Sequence, residues 1–467
     1  MVRTPLALYE PRLEDLRVLV VGLGKSGLAA VRLAASRGAR VIVTDARSKE
    51  ELGSAVGEVE ALGAEVMAGG TPAALADGVD LLILSPGVPM DLPLLVEARD
   101  RDVTIWGEVE LAWRFCRGRI LGITGSNGKS TVTSMAGTIL RTAGIPGGTG
   151  GNLGPPLTDL LESDGPEAVH AVELSSFQLE SIQAFRPQGA VVVNLSPDHL
   201  DRYPSFESYV QAKSRILAAQ DPGGFAILNA DDPESARLKE AVRGRLYHFS
   251  TRTKLEKGAW LEDGILTLAT EAGAGAPLVG AELSVPGEHN QANALAAALA
   301  CALLGCGREA IVDGLRSFRA LPHRLQHVAT IGGVDFYDDS KATNLAAASR
   351  ALQSFPPGRV HLILGGRDKG ADWGSLAPLI RRFARRVLLV GEAVPAIRSG
   401  LAETVPLVEC RTVPEAVDRG LKGARGGDVV LLAPGCASFD QYRSFEERGE
   451  DFRRAVESMS TDGGRLA

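Results

Sequence analysis

The residues best suited to chemistry lie in one stretch of ten, Gly122-Ile-Thr-Gly-Ser-Asn-Gly-Lys-Ser-Thr131. It begins inside the run Arg119 to Ile123, which predicts a strand, and it leads into Val132 to Thr142, which predicts a helix. At such a junction the free backbone N–H groups and the helix dipole favour a bound phosphate. The glycines, the lysine and the hydroxyls therefore predict a site for a nucleotide triphosphate.

The polar side chains of this stretch have distinct expected tasks. Lys129 would reach the outer phosphates, and Ser130 or Thr131 would hold Mg2+. The spacing departs from the strict pattern G-x-x-x-x-G-K-[ST], because Ile123 stands where that pattern has its first glycine. An ordinary glycine-rich turn before a helix is the alternative interpretation.

Two further glycine turns follow strands of the N-terminal region. Gly22-Leu-Gly-Lys-Ser-Gly27 has the spacing G-x-G-x-x-G, and Asp45 ends the next strand, as in dinucleotide-binding sites. One interpretation is a nicotinamide site; the other is the same backbone geometry used for another nucleotide or for tight packing alone. Ser85-Pro-Gly-Val-Pro89 ends a third strand at the same sheet edge, and two such neighbouring loops can cradle a diphosphate.

Polar groups also follow strands in the region of the phosphate loop. Glu173 lies where a buried strand becomes a helix, and His199 follows another strand of the same predicted sheet, so both can project toward a ligand of that loop. Lys213, on an amphipathic helix just beyond, is by itself a solvated lysine. Asn290 and Asn293 begin a helix and either read an adenine edge or cap that helix.

Cations and hydroxyls follow strands in the last third of the chain. Open α/β sheets bind ligands at the carboxyl edge, where these loops are expected to meet. A small dianion could be bound by Lys341, Lys369 and Ser438, and a phosphate could be bound by Arg324. The loops run over residues 338–344, 365–370 and 434–440.

The composition restricts the classes of protein. A formal net charge of −7 offers no positive field for nucleic acid or an anionic membrane. The 5 cysteines form no C-x-x-C pair, which is typical of reduced thiols, and no run of about eighteen apolar residues is present. We expect a soluble, cytoplasmic monomer that acts on small molecules, without a nucleic-acid partner and without membrane insertion.

Short apolar runs alternate with helical patterns, which predicts α/β layers. A chain of 467 residues exceeds what one hydrophobic core supports, so we expect three domains. They are a Rossmann-like N-terminal domain over residues 1–116, a central P-loop-type ATPase domain with a mainly parallel sheet over 117–320, and a Rossmann-like C-terminal domain over 321–467. Residues 260–268 predict a hairpin, and residues 147–154 a glycine-rich working loop.

Taken together, six segments resemble the Mur ligases of bacterial peptidoglycan synthesis, and the resemblance covers nearly the whole chain. Within that family, residues 22–27, 340–344 and 436–441 are similar to the members that add D-glutamate. The six segments are Gly122 to Thr131, Glu173 to Gln178, Asp198 to Asp201, His289 to Asn293, Leu321 to Arg324, and Asp339 to Asn344.

The resemblance implies an ATP-dependent, amide-forming ligase. It would add D-glutamate to UDP-N-acetylmuramoyl-L-alanine through an acyl phosphate, giving ADP and phosphate in cytoplasmic peptidoglycan precursor synthesis. A Mur ligase for another amino acid is the alternative. A nicotinamide-dependent oxidoreductase and a UDP-sugar sensor without catalysis are the rival hypotheses from other classes.

The resemblance also implies roles for individual residues. Two Mg2+ ions are expected, with ligands from Ser130, Glu173, His199 and Lys213, and Lys213 is similar to the family lysine that becomes a carbamate with CO2. Catalytic roles fall to Lys129, Glu173, His199 and Lys213. ATP would contact Gly125, Asn127, Gly128, Lys129, Ser130, Thr131, Asn290, Asn293, Arg324, Asp339 and Lys341.

Two further groups are implied for the other substrates. The UDP precursor would contact Gly24, Lys25, Ser26, Asp45, Arg47, Gly87, Asn152 and His199. D-glutamate would be surrounded by Thr343, Lys369, Ser438, Phe439 and Phe445. Phe439 stands where an aliphatic residue is common in the family, which leaves the fit around the amino acid open.

Overall fold

The computed structural model describes residues 9–152, 154–199, 202–218, 220–271, 275–278, 283, 287–319, 321–368 and 370–462. The chain divides into two compact units. The first comprises Met1–Ala281 with Ala292–Arg316, and the second comprises Glu282–Gln291 with Ser317–Ala467. Two β-sheets lie in the first unit and one in the second. The prediction of a three-domain α/β fold with mainly parallel sheets is thus confirmed, whereas the boundaries after residues 116 and 320 stay predictions.

The N-terminal domain has a parallel sheet of five strands in the order β3-β2-β1-β4-β5. The strands are β1 (Arg17–Val21), β2 (Arg40–Asp45), β3 (Glu65–Ala68), β4 (Leu81–Leu84) and β5 (Thr104–Gly107). The helices are α1 (Lys25–Ser36), α2 (Lys49–Leu52), α3 (Ser54–Ala61), α4 (Pro93–Asp100) and α5 (Glu108–Phe115). The strand order changes direction between β1 and β4, and ligands of open α/β sheets bind at the carboxyl ends beside such a point.

The central domain has a sheet of nine strands in the order β14-β13-β12-β11-β10-β9-β6-β8-β7. The strands are β6 (Arg119–Thr124), β7 (Thr149–Gly151), β8 (Val169–Glu173), β9 (Gly189–Val192), β10 (Phe225–Asn229), β11 (Arg245–Ser250), β12 (Gly258–Glu262), β13 (Ile265–Ala269) and β14 (Ala276–Pro277). The helices are α6 (Lys129–Thr142), α7 (Leu157–Leu160), α8 (Ser176–Glu180), α9 (Phe206–Ala218), α10 (Pro233–Arg237), α11 (Glu288–Leu303) and α12 (Arg308–Ser317). Strand β6 pairs in parallel with β8 and β9, so the phosphate loop leaves the middle of the sheet.

The C-terminal domain has six strands in the order β15-β16-β20-β17-β18-β19, all parallel except β15. The strands are β15 (Gln326–Ile331), β16 (Val334–Asp338), β17 (Val360–Gly365), β18 (Ala384–Val390), β19 (Leu407–Glu409) and β20 (Val429–Leu432). The helices are α13 (Leu345–Gln353), α14 (Ala377–Phe383), α15 (Val394–Gly400), α16 (Val413–Gly423) and α17 (Phe445–Asp462). The loops after β16, β17 and β20 share one sheet edge because these strands are parallel neighbours.

Helix α5 joins the two sheets of the first unit. Leu111 and Phe115 pack in the core of the N-terminal domain, while Val109 and Trp113 pack in the core of the central domain. The buried carboxylate of Glu110 accepts hydrogen bonds from the backbone N–H groups of residues 183, 184 and 185 at 2.9–3.1 Å. The two cores are therefore linked by one helix.

Two of the strands that the sequence does not predict, β15 and β7, have a weak apolar pattern. Strand β15 lies at a sheet edge and has no buried residue, and β7 lies within the glycine-rich stretch that predicts only a loop. The predicted hairpin is present as β12 and β13, with Glu262 opposite Ile265. Among the described residues, none of the helices has the length and apolar character needed to cross a membrane.

Candidate nucleotide and substrate sites

The phosphate loop connects β6 to α6 and folds around its own lysine. Lys129 Nζ donates to the carbonyl oxygens of Gly125 and Ser126, both at 2.9 Å. Gly128 has φ of +84°, and a Cβ there would come within 2.5 Å of Asn293 Oδ1. Glycine is therefore needed at position 128 both for the turn and for the close approach of α11. Helix α6 begins at Lys129, three residues before the predicted start at Val132.

Asn194, which the sequence does not single out, follows the neighbouring strand β9 and holds the phosphate loop. Its Oδ1 accepts from Asn127 N at 3.0 Å, and its Nδ2 donates to Asn127 O at 2.9 Å. Its backbone oxygen accepts from Ser126 N at 2.8 Å. The Asn-Leu-Ser-Pro run after a strand was the sequence feature that could have indicated this residue. A side-chain amide can both donate to and accept from the backbone of a nearby turn.

Glu173, a predicted catalytic and metal-binding residue, ends β8 and contacts Asn152, a predicted contact of the UDP precursor. Asn152 Nδ2 donates to Glu173 Oε1 at 2.7 Å, and Asn152 N donates to Glu173 O at 2.8 Å. The side chain of Glu173 is buried. The edge strand β7 thus positions Asn152 next to a carboxylate at the carboxyl end of β8.

Lys213 is buried, although a lysine on an amphipathic helix is by itself expected in solvent. It is 1% exposed, its Nζ donates to Thr124 Oγ1 at 3.4 Å, and the same atom lies 4.7 Å from the Tyr209 ring centroid. Burial and the nearby Lys129 cation lower the pKa of the Lys213 amine well below its usual value, against the opposing effect of Asp198 and Glu173. Helix α9 therefore brings an amine that is easily deprotonated to the phosphate loop.

His199 lies among aromatic rings at the start of the segment that leads to α9. Its ring meets the Phe177 ring edge-on with centroids 5.0 Å apart and lies 6.5 Å from the Tyr209 ring. Its Nε2 lies 3.8 Å from Asp198 Oδ2. Asp198 therefore belongs to the same group of charges, although it is absent from the predicted site.

The donor set fits a hard cation only in part. Ser130 and Glu173 offer oxygen atoms, which Mg2+ prefers, and both side chains are buried beside the loop. An imidazole such as His199 is an unusual ligand for Mg2+. An ammonium group at Lys213 cannot bind a cation, whereas a carbamate on the same nitrogen would supply oxygen.

The predicted contacts of the UDP end converge at the carboxyl edge of the N-terminal sheet. Asp45 Oδ2 accepts from Leu23 N at 2.7 Å and pairs with Arg47 Nη2 at 2.9 Å. Hydrogen bonding to Arg47 outweighs burial and lowers the pKa of Asp45 to about 2. Gly24 caps α1, which begins with Lys25 and Ser26.

The glycine turns after β1 and β4 are in direct contact. Ser85 Oγ donates to Gly22 O at 2.7 Å. A Cβ on Gly27 would lie 2.0 Å from Gly22 O, so this glycine serves backbone packing. The turn that contains Gly87 therefore lies beside the turn that contains Gly24, as expected for a diphosphate site.

In the second unit, the loop after β16 brings three predicted ATP contacts together. Asp339 Oδ1 accepts from Leu325 N at 3.2 Å, and Lys341 N donates to His323 O at 3.1 Å. Desolvation raises the pKa of Asp339 to about 7, against the opposing charge of Arg324. Lys341 Nζ lies 4.0 Å from the Phe445 ring centroid, which places a predicted D-glutamate contact beside this group.

Arg448, on α17, joins the loops after β16 and β20 and is not predicted from the sequence. Its guanidinium donates to Ser340 Oγ at 2.9 Å, Ser340 O at 2.8 Å, Cys436 O at 3.2 Å and Ala437 O at 3.3 Å. The role of Arg448 depends on neighbours that only the folded chain brings together, so a single sequence contains no signal for it. Two loops of the second unit are thus held by one side chain.

The remaining predicted residues are placed as follows. Ser438 is buried in the loop after β20, whereas the adjacent Phe439 is 61% exposed. Thr343 N donates to Lys341 O at 2.8 Å within the loop after β16. Asn290 is buried in the first turn of α11, and Thr131 is half-buried in the first turn of α6. Lys369 lies outside the described residues.

These features define an α/β protein with a phosphate loop in a mainly parallel central sheet, preceded and followed in the chain by Rossmann-like domains. Three family models match consecutive segments: the Mur ligase MurD-like N-terminal domain over residues 16–107, the Mur ligase middle domain over 123–301, and the Mur ligase glutamate ligase domain over 323–436. The chain belongs to the Mur ligase family, and it is an ATP-dependent, amide-forming ligase.

Individual relatives match over nearly the whole length. The chain is 46% identical over 446 residues to the UDP-N-acetylmuramoylalanine–D-glutamate ligase of Acidobacterium capsulatum. This match covers 95% of this chain and 96% of that protein. It is 45% identical over 452 residues to the enzyme of the same name from Solibacter usitatus, with 96% and 99% covered. A pseudomurein peptide ligase type C from Methanothermus fervidus shares the fold, with a TM-score of 0.63, 20% identity, and 95% and 100% of the two chains covered.

Proposed function

We propose that this chain adds D-glutamate to UDP-N-acetylmuramoyl-L-alanine with ATP, giving ADP and phosphate, in peptidoglycan precursor synthesis. The observation that supports this proposal most strongly is the similarity, over nearly the full length, to UDP-N-acetylmuramoylalanine–D-glutamate ligases. The grouping of Lys129, Glu173 and Lys213 at the phosphate loop supports the chemistry.

The proposed reaction has two steps. An oxygen of the L-alanine carboxylate attacks the γ-phosphorus of ATP, the bond to ADP breaks, and an acyl phosphate forms. The amine of D-glutamate then attacks the acyl carbon, phosphate leaves with the bonding electrons, and the amine loses its proton as the amide forms. No protein nucleophile is needed.

The first step brings two anions together, and the residues of the phosphate loop would offset their repulsion. Lys129 would turn its ammonium from the Gly125 and Ser126 carbonyls toward the outer phosphates. Bound Mg2+ would supply further positive charge and help to fix the phosphates in line. Ser130, Glu173, His199 and a carbamylated Lys213 are the proposed residues for two ions.

The carbamate on Lys213 would form when its neutral amine attacks CO2 and releases one proton. Burial and the Lys129 charge favour the neutral amine, because they lower the pKa of Lys213. The product is an anion with two oxygens beside the phosphate loop. A buried cation would thereby become a ligand suited to Mg2+.

Recognition of the three substrates is proposed for three groups of residues. In the first unit, the UDP precursor would contact the turns with Gly24 and Gly87, the Asp45–Arg47 pair, and Asn152 with His199. Thr343, Lys369, Ser438, Phe439 and Phe445 would surround D-glutamate. ATP would contact the phosphate loop, Asn290, Asn293, Arg324, Asp339 and Lys341.

We further propose a monomer that works in the cytoplasm on small molecules, with no nucleic-acid partner and no membrane insertion. The net charge of −7 supports this for nucleic acid, because polyanions are bound by positive surfaces. The free thiols of all five cysteines agree with a reducing compartment.

An assay of ADP and phosphate release tests the proposed function. Release should require both UDP-N-acetylmuramoyl-L-alanine and D-glutamate, and Lys129→Ala should reduce it by at least about a hundredfold. L-glutamate, L-alanine and meso-diaminopimelate serve as competing amino acids. Faster turnover with any of these three would contradict the proposal.

A further inference from the structure

The side chain of Arg202 reaches from the central domain to the N-terminal domain within the first unit. Its Nη1 donates to Gly87 O at 3.4 Å, and its Nη2 donates to Val88 O at 3.1 Å. Both carbonyls belong to the glycine turn after β4. One guanidinium therefore holds a turn that lies in the proposed contact region for the UDP end of the precursor.

The other contacts of the same guanidinium lie in the central domain. Arg202 Nη2 is 3.3 Å from Glu180 Oε2, and the guanidinium carbon is 4.5 Å from the Phe177 ring centroid. The Phe177 ring in turn meets the edge of the His199 ring. A planar fork can bond two carbonyls and stack on an aromatic ring at once, which a single ammonium cannot do.

The backbone of Arg202 also contacts His199 directly. The N–H groups of Arg202 and Tyr203 both donate to His199 O at 3.0 Å. His199 has φ of +53°, a conformation that costs energy for a residue with a side chain and persists where neighbours hold it. Arg202 thus supports His199 through its backbone and through Phe177.

We propose that Arg202 is a positioning residue, which sets the distance between the loops at the UDP end and His199 at the reacting end. The precursor could then contact the loops at its UDP end and His199 at its reacting end at the same time. The inference rests on the proposed function, because it needs a substrate that extends from the N-terminal domain to His199. It deepens that function by naming a residue that acts without touching the reacting atoms.

The test compares Arg202→Ala with Arg32→Ala. Arg32 pairs with Asp159 at 3.1 Å across the same two domains, and none of its contacts among the described residues is with Gly87, Val88 or His199. Titration calorimetry measures the binding of UDP-N-acetylmuramoyl-L-alanine, of UDP alone and of ATP, and steady-state assays give KM and kcat.

A change in the distance between these two regions should weaken the binding of the full precursor most, because only the precursor contacts both. Arg202→Ala should raise the Kd and KM of the precursor roughly tenfold and lower kcat, while the Kd values of UDP and ATP change by less than about twofold. Added guanidinium ions should recover part of the precursor binding, which a purely structural loss would not allow. Arg32→Ala should leave all these values unchanged.

Wild-type precursor affinity in a folded Arg202→Ala protein, or an equal loss for UDP alone, would overturn the inference. Arg202→Lys gives a second measurement if the alanine variant does not fold, because it keeps the charge without the fork; a wild-type Kd in this variant would also overturn it. Failure of the wild-type protein to bind the precursor would contradict the proposed function itself. Wild-type ligase activity together with unchanged Arg202 variants would contradict only the inference.

Discussion

Lys213 illustrates how the surroundings of a residue determine its chemistry. The side chain is almost completely buried, and it lies near a second cation, Lys129, and near the anions Asp198 and Glu173. Burial and the Lys129 charge disfavour the ammonium form of Lys213 more than Asp198 and Glu173 favour it, so the neutral amine is favoured. A neutral amine is the form that reacts with CO2.

Replacement of Lys213 by alanine should lower ligase activity by at least about a hundredfold, because an oxygen ligand and its charge are lost beside the phosphate loop. Formate or acetate should restore part of the activity by supplying a carboxylate. Lys239→Ala, at an exposed site in the same domain, should behave as wild type. Absence of rescue, together with no carbamate signal in a 13C spectrum recorded with labelled bicarbonate, would contradict the proposed role.

At the scale of elements, helix α17 contacts the loops after β16 and β20 through Arg448. Four hydrogen bonds connect its guanidinium to the loops after β16 and β20, and Ser340 Oγ donates to Phe445 O at 2.8 Å. Burial lowers the pKa of Arg448 to about 10, so it remains a cation at neutral pH. One side chain of a helix that follows both loops in sequence therefore connects them, in addition to the backbone hydrogen bond from Gly435 N to Ala342 O at 2.8 Å.

Arg448→Met should release these loops, because methionine fills similar volume but leaves buried carbonyl oxygens without their donors. The free energy that protects the loops from opening should fall by about 3 kcal/mol. Hydrogen exchange measured by mass spectrometry should accelerate in peptides that cover residues 338–345 and 434–442. Arg454→Ala removes a side chain that is 68% exposed on the same helix and should leave both peptides unchanged. Wild-type exchange in Arg448→Met would show that the loops hold themselves.

At the scale of the whole molecule, the junction of the N-terminal and central domains contains a carboxyl group that titrates near neutrality. Glu108 Oε1 accepts from Thr158 N at 2.8 Å and from Thr158 Oγ1 at 2.9 Å. Burial raises the pKa of Glu108 to about 7, although the bonds from Thr158 oppose this effect. The folded chain therefore keeps a proton on Glu108 that the unfolded chain releases at lower pH.

This difference makes stability fall as pH rises. Above the ordinary pKa of 4.5 the unfolded chain has lost the proton, and the folded chain loses it only at about 7. The stabilisation is complete below pH 4.5, and its loss between the two values amounts to at most about 3 kcal/mol. Glu108→Gln, which mimics the protonated acid, should raise the Tm relative to wild type at pH 8 and leave it nearly unchanged at pH 5.

The control for this experiment is Glu162→Gln, at an exposed position in the central domain. Melting curves between pH 5 and 8.5 should show the same slope for this variant as for wild type. A wild-type slope in Glu108→Gln would mean that Glu108 does not titrate in this range.

Local sequence patterns predicted much of the fold. The strand before the phosphate loop, predicted over Arg119 to Ile123, is present as β6 (Arg119–Thr124), because a central parallel strand is buried on both faces and forms a short apolar run. Edge strands such as β15 and β7 were not predicted, since exposed or glycine-rich segments lack that pattern. The loop residues of the candidate sites were predicted because glycine turns before helices have a local physical cause.

By itself, the sequence determined the three-domain α/β class, the phosphate loop with Lys129, and the strand ends from which Glu173, His199 and the lysine-bearing loops project. Only the tertiary structure decided that Lys213 is buried against the phosphate loop, that Asn194 and Arg448 hold loops distant from them in the chain, and that Arg202 joins two domains. The physical reason is the separation along the chain between the residues that interact. A turn or a strand depends on neighbouring residues, whereas burial, pKa and side-chain bridges depend on residues that the folded chain brings together from far apart.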